Sequence, residues 1–318
     1  MKEKHPPVGR FAPSPSGRMH LGNVFCALLA WLAARAEHGT IILRHEDLDP
    51  ERCPRRYAEQ LEEDLLWLGL DWDEGGSRGG PHGPYYQSER TRLYEDAYEL
   101  LQSRGLVYPC FCSRAELHAS EAPHLSDGRI LYSGRCRHLT EEERQVHAAH
   151  RRPAGRLMVP DEEVGFLDLA CGPYCENLAH DCGDFLIRRS DGVFAYQLAV
   201  VVDDALMGVT QVVRGRDLLD STPRQLYLYR LLGYLPPDFG HIPLLLDPAG
   251  ARLSKRDAAL DLGVLQKRFS AQEILGILAC AGGLLDRPEP VAARELIPLF
   301  AWEKLPRKDV RLPASLWE

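Results

Sequence analysis

The chain has 318 residues, of which 45% are hydrophobic, 26% charged and 8% aromatic. That length fits about two domains or one elaborated domain with a sizeable core, and the composition excludes disorder, a collagen-like fibre and a small disulfide scaffold. Lys and Arg number 38 against 46 Asp and Glu, a formal charge of −8, which argues against a broad basic footprint for nucleic acid.

The first ten residues, MKEKHPPVGR, are followed by no apolar segment of the kind that makes a signal peptide. The uncharged run at residues 24–34 is far short of the ~20 residues that span a bilayer. A soluble, cytoplasmic, monomeric protein without a membrane partner is expected. Nine cysteines, an odd number with no export signal, point to metal ligation or free thiols rather than a disulfide framework.

In chain order, residues 8–12 read as a short buried strand, followed by the turn-rich Pro13-Ser14-Pro15-Ser16-Gly17. Residues 21–37, rich in Ala and Leu and followed by Gly39, read as a helix. The β-branched stretch 40–44 reads as a second strand. Strand, loop, helix, strand is the opening of a nucleotide-binding α/β fold. Residues 57–70 carry Leu61, Leu65 and Leu68 on one helical face. Residues 75–83, GGSRGGPHG, form a glycine-rich loop, and 89–104 are helical. From 108 to 184 periodicity degrades while Cys, His, Gly and Pro gather, as in an inserted small domain held partly by metal. Regular patterning returns at Asp184. A helix is expected at 222–232 with Pro223 in its first turn, a strand at 241–246 and a polar loop at 248–256, then helices with loops. The domains expected are 1–107 and 185–256 as two halves of a Rossmann-like catalytic unit, 108–184 as the insert, and 257–318 as a helical C-terminal region.

Two segments carry the phosphate chemistry. In residues 10–23 a strand runs into a loop and a helix begins near Gly22. Its N-terminus offers N–H groups and a positive dipole end to phosphate, Gly22 admits close approach, and His20 can donate to phosphate oxygens. Residues 249–256, AGARLSKR, form a basic Gly/Ser loop after a strand, where Lys255 can act as a point charge on developing phosphate charge. Taken alone, each also reads as an ordinary turn or solvated loop.

Together these segments resemble the class I aminoacyl-tRNA synthetases. His20-Leu21-Gly22-Asn23 stands where that family has its HIGH motif, and Arg252-Leu253-Ser254-Lys255-Arg256 where it has KMSKS. The stretches RFAPSPSG, LRHEDLD (43–49), FAYQLAVVVDD (194–204) and VRGRD (213–217) resemble the glutamyl branch, so the likeness runs from about residue 8 to 256. Asn23 replaces the second His of HIGH, leaving His20 to carry that role. Arg252 replaces the first Lys of KMSKS, leaving Lys255 as the essential amine.

The resemblance implies glutamate and ATP as substrates, with Mg²⁺ accompanying ATP. His20 and Lys255 are the expected catalytic residues. Arg10, Phe11, Ala12, Pro13, Ser14, Glu46, Tyr196 and Arg214 are expected to bind glutamate. His20, Gly22, Asn23, Ser254 and Lys255 are expected to bind ATP. The chemistry agrees: Arg10 and Arg214 are forks for the two carboxylates, Glu46 a partner for the ammonium, Tyr196 a hydrogen-bonding group. Arg44-Glu46 and Arg214-Asp217 read equally well as structural ion pairs.

Cys110, Cys112 and Cys136 supply three thiols, and zinc commonly takes four ligands. Chemistry alone nominates His138 as the fourth. The Cys-x-Cys … Tyr-x-x-x-Cys spacing resembles instead the zinc site of the glutamyl-queuosine tRNA(Asp) synthetases, short paralogues of glutamyl-tRNA synthetase, and so implies one zinc on Cys110, Cys112, Tyr132 and Cys136. Cys171, Cys175, His180 and Cys182 form a rival cluster. Cys26, Cys53 and Cys280 sit in helical contexts as buried or free thiols.

Only residues 257–318 follow the basic loop, too few for a whole anticodon-binding region. Val200 stands where full-length glutamyl enzymes carry Asn. Both features resemble the short paralogues, which implies tRNA-independent activation of glutamate and its transfer to queuosine at the wobble position of tRNA(Asp). A minimal glutamyl-tRNA synthetase, a non-catalytic synthetase-like binding protein and another class I adenylyl-transferring ligase are the alternatives. The negative charge concentrates in Glu59, Glu62, Glu63, Asp64, Asp71, Asp73 and Glu74, with no Lys or Arg among them. The simplest expectation is a solvated face of one helix and its following loop. Basic pairs such as Arg151-Arg152, Arg188-Arg189 and Arg307-Lys308 are then free to meet RNA phosphates.

Overall fold

A computed structural model describes residues 5–113, 116, 131–253 and 261–317. Among them the strands are β1 (Val8–Phe11), β2 (Thr40–Leu43), β3 (Glu74–Gly75), β4 (Val107–Cys110), β5 (Ala154–Leu157) and β6 (Glu163–Asp168). The others are β7 (Gly172–Asn177), β8 (Phe185–Arg188), β9 (Gln211–Gly215), β10 (Asp238–Ile242), β11 (Leu245–Leu246) and β12 (Val310–Arg311). The first three helices are α1 (Leu21–Ala36), α2 (Arg55–Trp67) and α3 (Thr91–Ser103).

Five strands make a parallel sheet in the order β10-β9-β1-β2-β3. Side chains alternate across it, so Ile41 and Leu43 join a core with α1 and α2 while Ile42 joins the opposite core with Tyr94 and Leu101 of α3. Both faces are therefore covered by helices, as an α/β fold requires. Helix α1 is apolar almost all round because it is enclosed. Leu28, Leu29 and Leu32 belong to one core with Leu61 and Leu65 of α2 and with Ile274, Leu275 and Leu278 of the helix Ala271–Ala281.

Between α3 and the helix Tyr196–Leu206 the chain builds an antiparallel sheet, β4-β5-β8, and a hairpin, β6-β7. Strand β8 pairs with β5, so the sheet of the irregular region crosses residue 184.

Several expectations shift. The strand anticipated at 241–246 is two strands: β10 ends at Ile242, Pro243 has no N–H for the ladder, and β11 begins at Leu245. The C-terminal region contains the short helices Leu262–Leu265, Ala271–Ala281 and Ala293–Leu296 but also β12, which pairs with β11. Cys53 lies in a bend before α2 rather than in a helix. The acidic stretch is solvated only in part: Glu59, Glu63 and Asp73 are exposed. Glu62 and Asp64 are buried, Asp64 is bidentate to Arg18 at 2.7 and 3.2 Å, and Glu62 takes His45 at 3.0 Å. Asp71 and Asp73 both hold Arg35, at 3.0 and 2.7 Å.

Candidate active site

Strands β1 and β9 are neighbours, and the chain leaves β1 toward β2 on one side and β9 toward β10 on the other. Such a switch point opens a crevice beyond the carboxyl ends of the strands. A cleft of about 500 Å³ lies there. Arg10, Phe11, Ala12, Pro13, Ser14, His20, Gly22, Asn23, Glu46, Tyr196 and Arg214 all line it. These residues span positions 10–214, and the sheet gathers them into one wall. Ser254 and Lys255 lie outside the described residues.

The wall is a network of charges paired before any ligand arrives. Arg44 is fully buried and reaches Asp204 at 2.6 Å, Asp203 at 3.6 Å and Glu46 at 3.1 Å. Asp203 is bound in turn by Arg90 at 2.6 Å and by the Tyr94 hydroxyl at 2.9 Å. Arg10 donates to the Val213 carbonyl at 3.0 Å and stands 3.7 Å from Asp204. Burial raises the Glu46 carboxyl above the ordinary range against the pull of Arg44 and Arg10. Burial likewise raises the Tyr196 hydroxyl, which stays neutral, and pushes the Cys26 thiol in the cleft up to about 11.

Arg214 is held from every side. Its Nε donates to His241 Nε2 at 3.0 Å, and its Nη atoms donate to Gln225 Oε1 at 2.8 Å, Thr222 Oγ1 at 2.8 Å, the Leu218 carbonyl at 3.3 Å and Tyr196 Oη at 3.4 Å. The sequence reading had no signal for His241, Gln225 or Thr222, whose side chains become polar partners only through the fold. Arg44–Glu46 is an ion pair, whereas Asp217 pairs with Arg252 of the basic loop and not with Arg214.

His20 is the N-cap of α1. Its Nδ1 accepts from the Gly22 N–H at 3.0 Å, while Asn23 Oδ1 accepts the His20 N–H at 3.3 Å. With Nδ1 accepting, the neutral ring carries its proton on Nε2 and is a donor there. The helix N-terminus is thus partly capped by the motif itself, and the Asn that departs from the HIGH pattern completes the cap.

Some distance along the chain, Cys110 ends β4 and Cys136 sits in the turn Arg135–His138. With Cys112 they place three ligand atoms within 4.8 Å of one another. Tyr132 Oη lies 3.7 Å from Cys110 Sγ and 3.9 Å from Cys112 Sγ, and it accepts the Cys136 N–H at 2.8 Å. His138 is not in this group. Hydrogen bonding from Cys136 drives the Cys110 thiol down to about 4, against burial and with help from Arg156. Cys112 is raised by burial and by Cys110, and Cys136 is raised by its bond to Cys110 and by burial. One thiolate forms readily and hinders the others, a donor set that a divalent cation would complete. The rival cluster is not assembled: Cys171 donates to the His241 carbonyl at 3.3 Å, Cys182 to the Gly183 carbonyl at 3.1 Å, and Cys175 is exposed on β7. No described helix is long and apolar enough to cross a membrane.

The family model described as tRNA synthetases class I (E and Q), catalytic domain, matches residues 8–275. The chain is 56% identical to a glutamyl-Q tRNA(Asp) synthetase of Symbiobacterium thermophilum over 96% of each chain. It is 50% identical to one of Nitratidesulfovibrio vulgaris over 97% of this chain and 96% of the relative. A glutamate–tRNA ligase of Sulfurihydrogenibium is 42% identical over 91% of this chain but only 61% of its own length. The structure of a glutamate tRNA ligase from Elizabethkingia meningosepticum superposes with a TM-score of 0.83 at 30% identity, covering 98% of this chain and 68% of the other. With the family model spanning most of the chain and relatives matching it end to end, the protein belongs to the class I tRNA synthetases of the E and Q type.

Proposed function

We propose that the protein activates glutamate with ATP in the absence of tRNA and then transfers it to the queuosine base at the wobble position of tRNA(Asp). The observation that carries this reading is the match over 96% of each chain to a relative of that name at 56% identity and over nearly all of a second at 50%, whereas a 47% identical glutamate–tRNA ligase is covered over only 62% of its length. The geometry supports the amino-acid half of it. Arg10, Arg214 and Glu46 face a single cleft, with Arg252 and Asp217 at its edge paired to each other; the first three complement two carboxylates and one ammonium.

In the proposed reaction the glutamate α-carboxylate attacks the α-phosphorus of ATP, pyrophosphate leaves and a glutamyl-adenylate forms. The protein contributes positioning and charge rather than a nucleophile. Arg10 and Arg214, with Phe11 to Ser14 and Tyr196, orient the amino acid. His20 Nε2–H donates to phosphate, Gly22 and Asn23 shape the helix end beside it, Ser254 offers a hydroxyl and Lys255 brings positive charge to the leaving phosphates. Zinc would be held by Cys110, Cys112, Tyr132 and Cys136, where it would compensate the thiolates and cross-link β4 to the 132–138 segment. We assign residues 1–107 and 185–256 to the catalytic unit, 108–184 to the insert, whose sheet is completed by β8 just beyond that bound, and 257–318 to the C-terminal region, acting as a monomer.

The test is glutamate-dependent ATP–pyrophosphate exchange without tRNA, followed by labelled glutamate on tRNA pools with and without queuosine. Exchange plus queuosine-dependent labelling is the expected result. Stable charging of the 3′ end of tRNA(Glu) would instead mark a minimal glutamyl-tRNA synthetase.

A further inference from the structure

The Nε atom of Arg214 points at a buried histidine rather than at a carboxylate. His241 sits on β10 with no exposed surface, and its ring is held at both nitrogens. Nδ1 is 2.5 Å from Asp168 Oδ2; Nε2 is 3.0 Å from Arg214 Nε and 3.3 Å from Thr222 Oγ1. A guanidinium N–H is always a donor, so Nε2 must accept, and the ring proton must be on Nδ1. Asp168, at the end of the β6 arm of the hairpin, is the group that enforces this. Its Oδ1 accepts three backbone N–H groups, from Ala170 at 3.0 Å, Cys171 at 2.8 Å and His241 at 3.1 Å, so Oδ2 is left facing Nδ1 as an acceptor.

We propose that Asp168 and His241 are positioning residues for the amino-acid substrate: Asp168 fixes the tautomer of His241 so that its Nε2 can orient the Arg214 guanidinium. The role rests on the reading of Arg214 as a glutamate ligand. It makes the β6–β7 hairpin, outside the parallel sheet, part of amino-acid selection. The charge states agree with it. Burial holds the His241 ring below the ordinary range, despite Asp168. Burial raises Asp168, but the His241 and backbone N–H bonds outweigh it and keep the carboxyl ionised.

Asp168→Asn separates positioning from scaffolding. The amide oxygen keeps the three backbone bonds, which turns Nδ2–H₂ toward His241 Nδ1. That nitrogen must then accept, the proton moves to Nε2, and two N–H groups confront each other at Arg214. Glutamate-dependent exchange should show KM for glutamate raised about tenfold to a hundredfold, with KM for ATP and the melting temperature little changed. His241→Gln, with an amide oxygen near the Nε2 position, should raise KM for glutamate by itself, and adding Asp168→Asn to it should give no further rise. Nitrogen NMR of the wild-type protein, with His241 assigned by its loss in His241→Gln, should show Nδ1 protonated and Nε2 bare. A protonated Nε2 at neutral pH, an unchanged KM for glutamate in folded Asp168→Asn, or equal losses toward glutamate and ATP each overturns the role. Absence of exchange in the wild type overturns the functional reading, and the role with it.

Discussion

The wall of the cleft and the cysteine cluster both crowd ionisable groups into a buried space, and they solve the problem in opposite ways. In the wall, Asp203, Asp204 and Glu46 meet Arg44, Arg90 and Arg10, so the charges are compensated by the protein itself. In the cluster, three sulfur atoms and a phenol face one another with Arg156 stacked on the Tyr132 ring at 3.7 Å as the nearby cation. A compensated network is ready before its ligand arrives; an uncompensated one depends on what it takes up. The difference predicts that the wall is fragile to internal substitution and the cluster to chelation.

The largest effect should come from Arg44→Met, which leaves Asp203 and Asp204 without their shared cation. Urea unfolding should report a loss of about 3–5 kcal/mol, and a loss below 1 kcal/mol would mean that the wall is not internally balanced. Next is Cys110→Ser, or incubation with a strong chelator. Bound metal, measured by atomic emission, should fall to background and the melting temperature should drop by about 2–4 °C per kcal/mol lost. KM for glutamate should stay close to that of the untreated protein. A chelator that empties the protein of metal without lowering the melting temperature would break the contrast.

A smaller effect separates the two regions by pH. Protonating Glu46 would remove the carboxylate proposed to meet the substrate ammonium, so KM for glutamate should climb as pH falls, by about tenfold per unit below the Glu46 pKa. Because that pKa is raised, the climb should begin above the ordinary carboxylate range, and Glu46→Gln should raise KM while flattening the profile. Smallest is Arg252→Ala. Its pairing with Asp217 is mostly exposed, and its loss should change stability by about 1 kcal/mol or less.

The parts of the fold carried by local pattern were legible in the sequence. The β1–loop–α1–β2 opening could be read from Val8, Gly22 and the 40–44 stretch, and Pro223 marked the start of its helix. The cleft residues were legible because they fall in contiguous motifs. Their partners were not. Asp168 and His241 lie 73 positions apart, and Arg18 and Asp64 lie 46 apart. Neither pair leaves a periodic trace. The acidic stretch misled for the same reason: a carboxylate on an inner helix face looks solvated until a distant arginine or histidine is brought against it. Pro243 was visible, yet the apolar run around it hid the break between β10 and β11.

The pairing of β11 with β12 sets an order of assembly. Leu245 and Leu246 precede the basic loop, and their strand partner is Val310–Arg311. During vectorial synthesis β11 must therefore wait for about 64 further residues before the base of that loop can be completed, roughly 3–13 s at ordinary elongation rates. The central strand β1 also waits, since its partner β9 follows some 200 residues later at Gln211. Until then α1 lacks the cover that Ile274, Leu275 and Leu278 give it in the folded chain. Its near-uniform apolar surface is then uncovered, a face that a chaperone can hold.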